Sequence, residues 1–407
     1  MRNKSVFWLF ALSSAVYFTQ GIESLPSQAL FYYLKETLNF TPEKIMLISS
    51  ITTFAWLVKP PIGYVVDNFF SKRAWIFLAL LLDIALVFII GSIQIPLAIL
   101  IIILIINSAN AAFRDVAVDG IMCVEGKKNN STGKIQSVQW ISISAAILIS
   151  GVGGGFIAEK CGYKVGFLAL IPVYLLVGVI AWFYKENDGA LLSAGTPLKE
   201  VSPKMAHFVS DMKQLFADKR LLIIALFIFL YKYSPSFGTP LFFIQRDAFK
   251  WSKMWIGLLA SISTAFGIIG SLLYYKMSQK INMKKWLFFS VFLGAVTTLS
   301  YLYYTPRAAV IYDLVYNFVG MFIFLMIMDF MARNTVKGLE ATSFAFLCSV
   351  SNLAMVASNL SGAFLLPVIG LKWLIVISAL TSFLCLPLIS VIANGANEVS
   401  GVKQSPC

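Results

Sequence analysis

The segment "AAFRDVAVDGIMCVEGKK", Ala111 to Lys128, follows the apolar run "LAILIIILIINSAN" and carries Arg114, Asp115, Asp119 and Glu125. On a helix Asp115 and Asp119 share a face, whereas Arg114 is turned to one side. Charges at membrane depth cost several kcal/mol, so they are paired or face a protein-lined pathway. Two chemistries fit. In one, the residues form an inner gate, with Arg114 paired to an acid and Asp119 joining Asp67 in bridges that break. In the other, Arg114 or Asp115 binds substrate or couples an ion. Glu125 is expected near the membrane surface.

Two lysines pose the same question. Lys59, in "AWLVKPPIG", precedes Pro60 and Pro61, which free carbonyls of the preceding turn. It either binds an anion or pairs with a carboxylate such as Asp83 or Asp67. Lys232 stands in "LYKYSPSFGTP", where Pro235, Gly238 and Pro240 predict a broken helix lining a cavity. Gln20 and Glu23 end the first apolar run, Gln136 and Trp140 open the fifth, and Asp313 and Asn317 lie in the tenth. Asp329 and Arg333, four apart, suit an intrahelical pair. Glu340 is expected to cap the next helix N-terminus. "GVGGG" (Gly151–Gly155) follows no strand and is read as a helix-packing surface.

Other chemistries find little support. Five scattered cysteines have no metal-ligand spacing, and the one histidine, His207, lies in a polar loop. No nucleophile–base pair stands out, so neither an enzyme, a metal site nor a cofactor is expected.

The elements that position these residues follow from composition. The chain has 407 residues, 59% hydrophobic and only 13% charged, which excludes an ordinary soluble domain. That length suits an all-α membrane protein of about twelve transmembrane helices. They are predicted from 6–22, 45–66 and 74–91 through 97–120 (fourth) and 137–157 (fifth) to 221–244 (seventh), 308–331 (tenth), 342–366 and 372–393. The first apolar run reads as a span and not as a cleavable signal. Net charge is +13, with about 20 of the basic residues on segments placed inside and about 9 outside. The bias puts both termini in the cytoplasm of a cell membrane, plasma or inner. It marks the basic charge as topological, with the lipid bilayer as partner and no nucleic acid. A polar stretch, 185–220, separates six-helix bundles at 1–184 and 221–395, and 396–407 forms a cytoplasmic tail.

The halves resemble each other. "ALFYYLKETLNFTPEKI" (Ala29–Ile45) aligns without gaps with "PLFFIQRDAFKWSKMWI" (Pro240–Ile256), matching a basic–acidic pair and a Thr/Ser as well as apolar positions. Two parallel six-helix repeats describe the major facilitator fold. "GYVVDNFFSKR" (Gly63–Arg73) is similar to the G-x-x-x-D…R-[RK] pattern of such transporters, which implies a cytoplasmic clamp containing Asp67 and Arg73.

Several stretches together resemble the folate–biopterin transporter family of the major facilitator superfamily. They are "YFTQGIESLPSQALFYYLKETLNFTPEKI", "WLVKPPIGYVVD", "DVAVDGIMCVE", "GKIQSVQW" and "GLEATSFAFLCSVSNL", running from residue 17 to beyond 350. Departures are Ala55 in place of a proline, Arg114 at a usually small or neutral position, and Thr335–Val336–Lys337 in place of a Cys-Pro. The resemblance implies transport of folate or a related pterin by alternating access, with proton coupling and a monomeric carrier. Gln20, Gln136 and Asn317 would read the pterin edge and Trp140 would stack on it. Lys59, Arg114 and Lys232 would neutralise the ligand's carboxylates. Glu23, Asp67, Arg73, Asp115, Asp119, Asp313, Asp329, Arg333 and Glu340 would serve coupling or the gate. Alternatives are a permease for another amphipathic anion, such as a muropeptide or acyl-CoA, and a membrane receptor or scaffold that does not transport.

Overall fold

The computed structural model describes residues 2–40, 59–186, 215–251 and 253–399, with positions 48, 52, 56 and 213 besides. Most of the predicted second span, the central linker with His207, and the end of the tail lie outside the described residues. Those described form helices and no strand. Nine helices among them are long and apolar enough to cross a membrane. The chain divides into two compact units. The first comprises Met1–Ser210 together with Tyr274–Lys276 and Thr335–Phe346, and the second comprises the rest.

In the first unit, α1 (Arg2–Ile22) leads through a turn to the short α2 (Ser27–Tyr32). Then come α3 (Lys59–Asn68), α4 (Lys72–Ser92), α5 (Leu97–Lys128) and α6 (Thr132–Lys160). The unit's last helices are α7 (Tyr163–Leu168) and α8 (Ile171–Phe183). α1 and α6 approach closely along small residues. The hydroxyls of Ser14 and Ser142 lie 2.6 Å apart, and Ser150 donates to the Gly21 carbonyl at 3.0 Å. A Cβ on Gly21 would stand 2.5 Å from the Ile143 carbonyl, so only glycine permits this crossing. The glycine run on α6 works similarly: a Cβ on Gly154 would meet the Leu25 carbonyl at 3.0 Å.

In the second unit, α9 (Lys219–Lys232) and α10 (Gly238–Phe243) are the two pieces of the seventh span. The break falls at the Pro-Ser-Phe-Gly stretch, as the prolines predict. There follow α11 (Lys253–Met277), α12 (Met283–Ser300), α13 (Pro306–Arg333), α14 (Glu340–Thr381), whose residues up to Phe346 belong to the first unit, and α15 (Leu386–Val399). α14 joins the two predicted final spans across Gly370. Its φ of 73° is a left-handed conformation that costs glycine nothing.

The internal repeat recurs in the backbone. After α2 the chain widens into a π-helical turn, Tyr33–Thr37, and after α10 into another, Ile244–Ala248. The two begin and end at aligned positions. Asn39 and Lys250, also aligned, are left-handed at φ 52° and 57°. The closing hydrogen bonds correspond too: Phe40 N to Leu34 O, and Trp251 N to Gln245 O. A wide turn is rare, so its recurrence at one aligned place marks the halves as copies of one unit.

Candidate functional site

Within the first unit, α5 continues well past its predicted end, so Arg114, Asp115 and Asp119 all project from unbroken helix. Arg114 is fully buried. Its two terminal nitrogens bond Asp83 of α4 and Glu23 beyond α1. Asn107 donates to Asp83 at 2.8 Å, and the Tyr174 hydroxyl to Glu23 at 3.0 Å. The Tyr174 ring lies 5.2 Å from the guanidinium. One cation therefore holds two carboxylates, each with a neutral donor.

Lys59 pairs with Asp115 at 2.6 Å, and not with Asp83 or Asp67, the partners expected from sequence. Asp83 is taken by Arg114, and Asp67 lies two helical turns further along α3. The other Asp115 oxygen accepts from Gln20 at 2.8 Å. The Lys59 ammonium also sits 4.6 Å from the Trp56 ring centre, a cation–π distance.

Asp119 does not join Asp67. One of its oxygens accepts from the Tyr17 hydroxyl at 2.9 Å and from the Gln139 amide at 3.4 Å. The i, i+4 spacing thus puts two carboxylates on one face, and packing gives one a cation and the other neutral donors. Gln136 and Gln139 are fully buried on α6, and the Oε1 atom of each accepts no hydrogen bond from the described residues. Trp140 meets the Tyr17 ring at a centroid distance of 6.4 Å. Tyr17, Gln139, Asn107 and Tyr174 were not singled out in the sequence, although Gln139 lies one turn from Gln136 and Tyr17 opens the "YFTQG" stretch.

A second arrangement in the same unit surrounds Asp67. Its carboxylate accepts from the amides of Ala341 and Thr342 at 3.2 and 2.8 Å, and from the Thr342 hydroxyl at 2.7 Å. Lys72 stands 3.3 Å away. Asp67 thus supplies the N-terminal cap of α14 that was expected of Glu340. Glu340 itself turns back to accept from the Gly338 amide at 2.9 Å, which takes its carboxylate away from the first-turn N–H groups. Arg73 works at another helix end. Its guanidinium donates to the carbonyls of Ala181 and Trp182 at 2.9 and 2.8 Å, where α8 terminates. That placement suits a cation at a helix C-terminus. Replacing Asp67 by Ala strands two buried amides. A loss of about 1–3 kcal/mol is expected, read as a lower melting temperature in detergent, with Glu340→Ala close to wild type.

In the second unit, Arg333 binds Asp329 through two bonds of 2.9 Å, the pair expected from their spacing. Asn317 turns its amide onto the Asp313 carbonyl of its own helix at 2.8 Å and is exposed, so it is not brought into a site. Lys232 is. It ends α9 and lines a cavity of about 510 Å³ with Tyr231, Phe237, Tyr301, Tyr312 and Tyr316. The broken stretch that follows it is held by α14. Ser236 N donates to Ser358 O at 3.0 Å, the Ser358 hydroxyl donates to the Ser234 carbonyl, and the Ser378 hydroxyl to the Pro235 carbonyl. A Cβ on Gly362 would collide with the Ser236 backbone.

Comparison with known proteins bears on what such sites serve. The family model described as the BT1 family matches residues 20–405. A folate-biopterin transporter of Synechocystis sp. is 24% identical, aligning over 96% of this chain and 83% of its own length. Folate transporter 1 of Plasmodium falciparum is 21% identical over 95% of this chain and 80% of its own. Among solved structures, the E. coli fucose:proton symporter superposes with a TM-score of 0.67 at 16% identity. The human organic anion transporter MFSD10 does so with 0.66 at 15%. Each covers 95% of this chain and 98% of the other, a likeness of fold.

Proposed function

Since the chain belongs to the BT1 family and is a membrane transporter of major facilitator fold, not an enzyme, we propose that it carries folate or a related pterin by alternating access, coupled to protons. The observation that carries this reading is the set of polar groups on α1, α5 and α6. The carbonyls of Gln136 and Gln139, which accept no hydrogen bond from the described residues, are acceptors. The amino-pyrimidinone edge of a pterin presents neighbouring N–H donors, and buried acceptors are satisfied by donors of that kind. Tyr17 and Trp140 offer ring faces beside them. The relatives' names for folate and biopterin support the same ligand class.

Roles divide accordingly. Gln136, with Gln20 and Trp140, would read the ring, and Lys59 would exchange its bond to Asp115 for a substrate anion. Arg114 serves better as the fixed centre of its pair of carboxylates, Glu23 and Asp83, than as a ligand. Asp67 and Arg73 hold helix ends in the first unit and Arg333 pairs with Asp329 at a helix end in the second; these, with Glu340, would serve gating. Asp313 is left as a second carboxylate for coupling. The carrier would act as a monomer in a cell membrane, with both termini in the cytoplasm.

The test is uptake of labelled folate, dihydrofolate and biopterin into proteoliposomes, with and without an inward proton gradient. Saturable uptake, stimulated by the gradient and weakened by Gln139→Leu, supports the reading. Absence of uptake by well-folded protein under either condition sinks the pterin assignment.

A further inference from the structure

We propose that the cavity of the second unit is a subsite for an aromatic carboxylate, with Lys232 as its anion anchor and the rings of Phe237, Tyr301 and Tyr312 as its wall. Among the described residues that line the cavity, Lys232 is the only charged one, and none is an Asp or Glu. Its ammonium lies 4.9 Å from the Phe324 ring centre. A ring face attracts a cation without neutralising it, and a half-buried cation against aromatic rings still calls for an anion.

Among the described residues the broken helix offers no anion, only neutral carbonyls. The Ser234 and Pro235 carbonyls, which the break frees, are taken by the hydroxyls of Ser358 and Ser378. Several of the cavity's hydroxyls are committed elsewhere: Thr297 donates to Leu293 O, Ser382 to Ser378 O, and Tyr231 to Ser290. Lys232 therefore remains as the one charged donor.

The rest of the wall selects a flat ring. Phe237 and Tyr301 have centroids 5.4 Å apart, and Tyr301 and Tyr312 are 5.2 Å apart. These rings form a continuous aromatic surface. A cavity of about 510 Å³ is in the ordinary range for small-molecule sites. One cation, no acid among the described lining residues and an aromatic wall together describe a ligand that carries both an aryl ring and a carboxylate. The inference rests on the reading above in one respect: folate has such an end, its aminobenzoyl-glutamate, whereas biopterin has none.

The experiment measures inhibition of labelled folate uptake by 4-aminobenzoylglutamate and, separately, by biopterin. In Lys232→Met, half-inhibition by 4-aminobenzoylglutamate is expected to need on the order of tenfold more compound, with inhibition by biopterin unchanged. Lys232→Arg should stay near wild type. Gly294→Leu, whose added side chain enters open space at the cavity wall, should also lose the benzoylglutamate effect and keep that of biopterin. Equal weakening of both inhibitors, or of neither, in folded Lys232→Met overturns the proposal.

Stabilisation of the purified protein by 4-aminobenzoylglutamate separates this inference from the transport assignment. A rise in melting temperature that Lys232→Met abolishes, in a protein that moves no folate, upholds the subsite and rejects the pterin carrier. Folate uptake without any Lys232-dependent rise does the reverse.

Discussion

Arg114→Leu is expected to cost the protein its folded state, or nearly so. The guanidinium is fully buried and holds Glu23 and Asp83 at once. Without it, two carboxylates are left in a low-dielectric interior with neutral donors such as Asn107 and Tyr174. Removing one partner of a buried ion pair costs about 3–5 kcal/mol. Here one cation serves two acids, against a total stability of about 5–15 kcal/mol. The measurement is the yield of monodisperse protein and its melting temperature in detergent. Asp83→Asn alone should be much milder, because Arg114 keeps Glu23. Added to Arg114→Leu, it should restore part of the loss, since it removes one of the stranded charges. A double mutant no more stable than Arg114→Leu would mean that packing, not charge balance, makes this residue necessary.

This cluster also marks where the sequence stops being informative. A cation in an apolar run announces that it needs partners, but not which ones. Arg114 finds them 31 and 91 positions away, and Lys59 finds Asp115 at 56. Those pairings depend on how α1, α3, α4 and α5 are laid against one another, which no local pattern encodes. The cap of α14 is the sharpest case, since Asp67 reaches it across 274 positions and displaces the adjacent Glu340 from the role that its position suggested. Features with a local cause were legible: the proline-broken seventh helix, the i, i+4 pair of Asp329 and Arg333, and the repeat. The π-helical turns lie between these extremes. Similarity showed that the two segments correspond, but one extra residue in a turn shifts a hydrogen bond without a residue type to announce it.

Asp119→Asn is expected to uncouple transport without unfolding the protein. Asp115 and Asp119 occupy one face of α5, yet only Asp115 is paired with a cation. Asp115 is thereby committed to Lys59. Asp119 is held by Tyr17 and Gln139, both neutral, so a proton can come and go there with no ion pair broken. An asparagine keeps an oxygen for the Tyr17 hydroxyl and removes only the ionisable group, so the melting temperature should stay near that of wild type. Stimulation of folate uptake by an inward proton gradient should fall to the level seen without a gradient, while exchange of labelled for unlabelled folate continues. Asp115→Asn should behave oppositely: it strands Lys59 and lowers stability, with any remaining transport still responding to the gradient. Gradient-driven accumulation that survives Asp119→Asn would move the coupling proton elsewhere, with Asp313 as the next carboxylate to replace. Loss of exchange together with accumulation would make Asp119 a substrate ligand, the acceptor for the pterin edge, in place of a proton carrier.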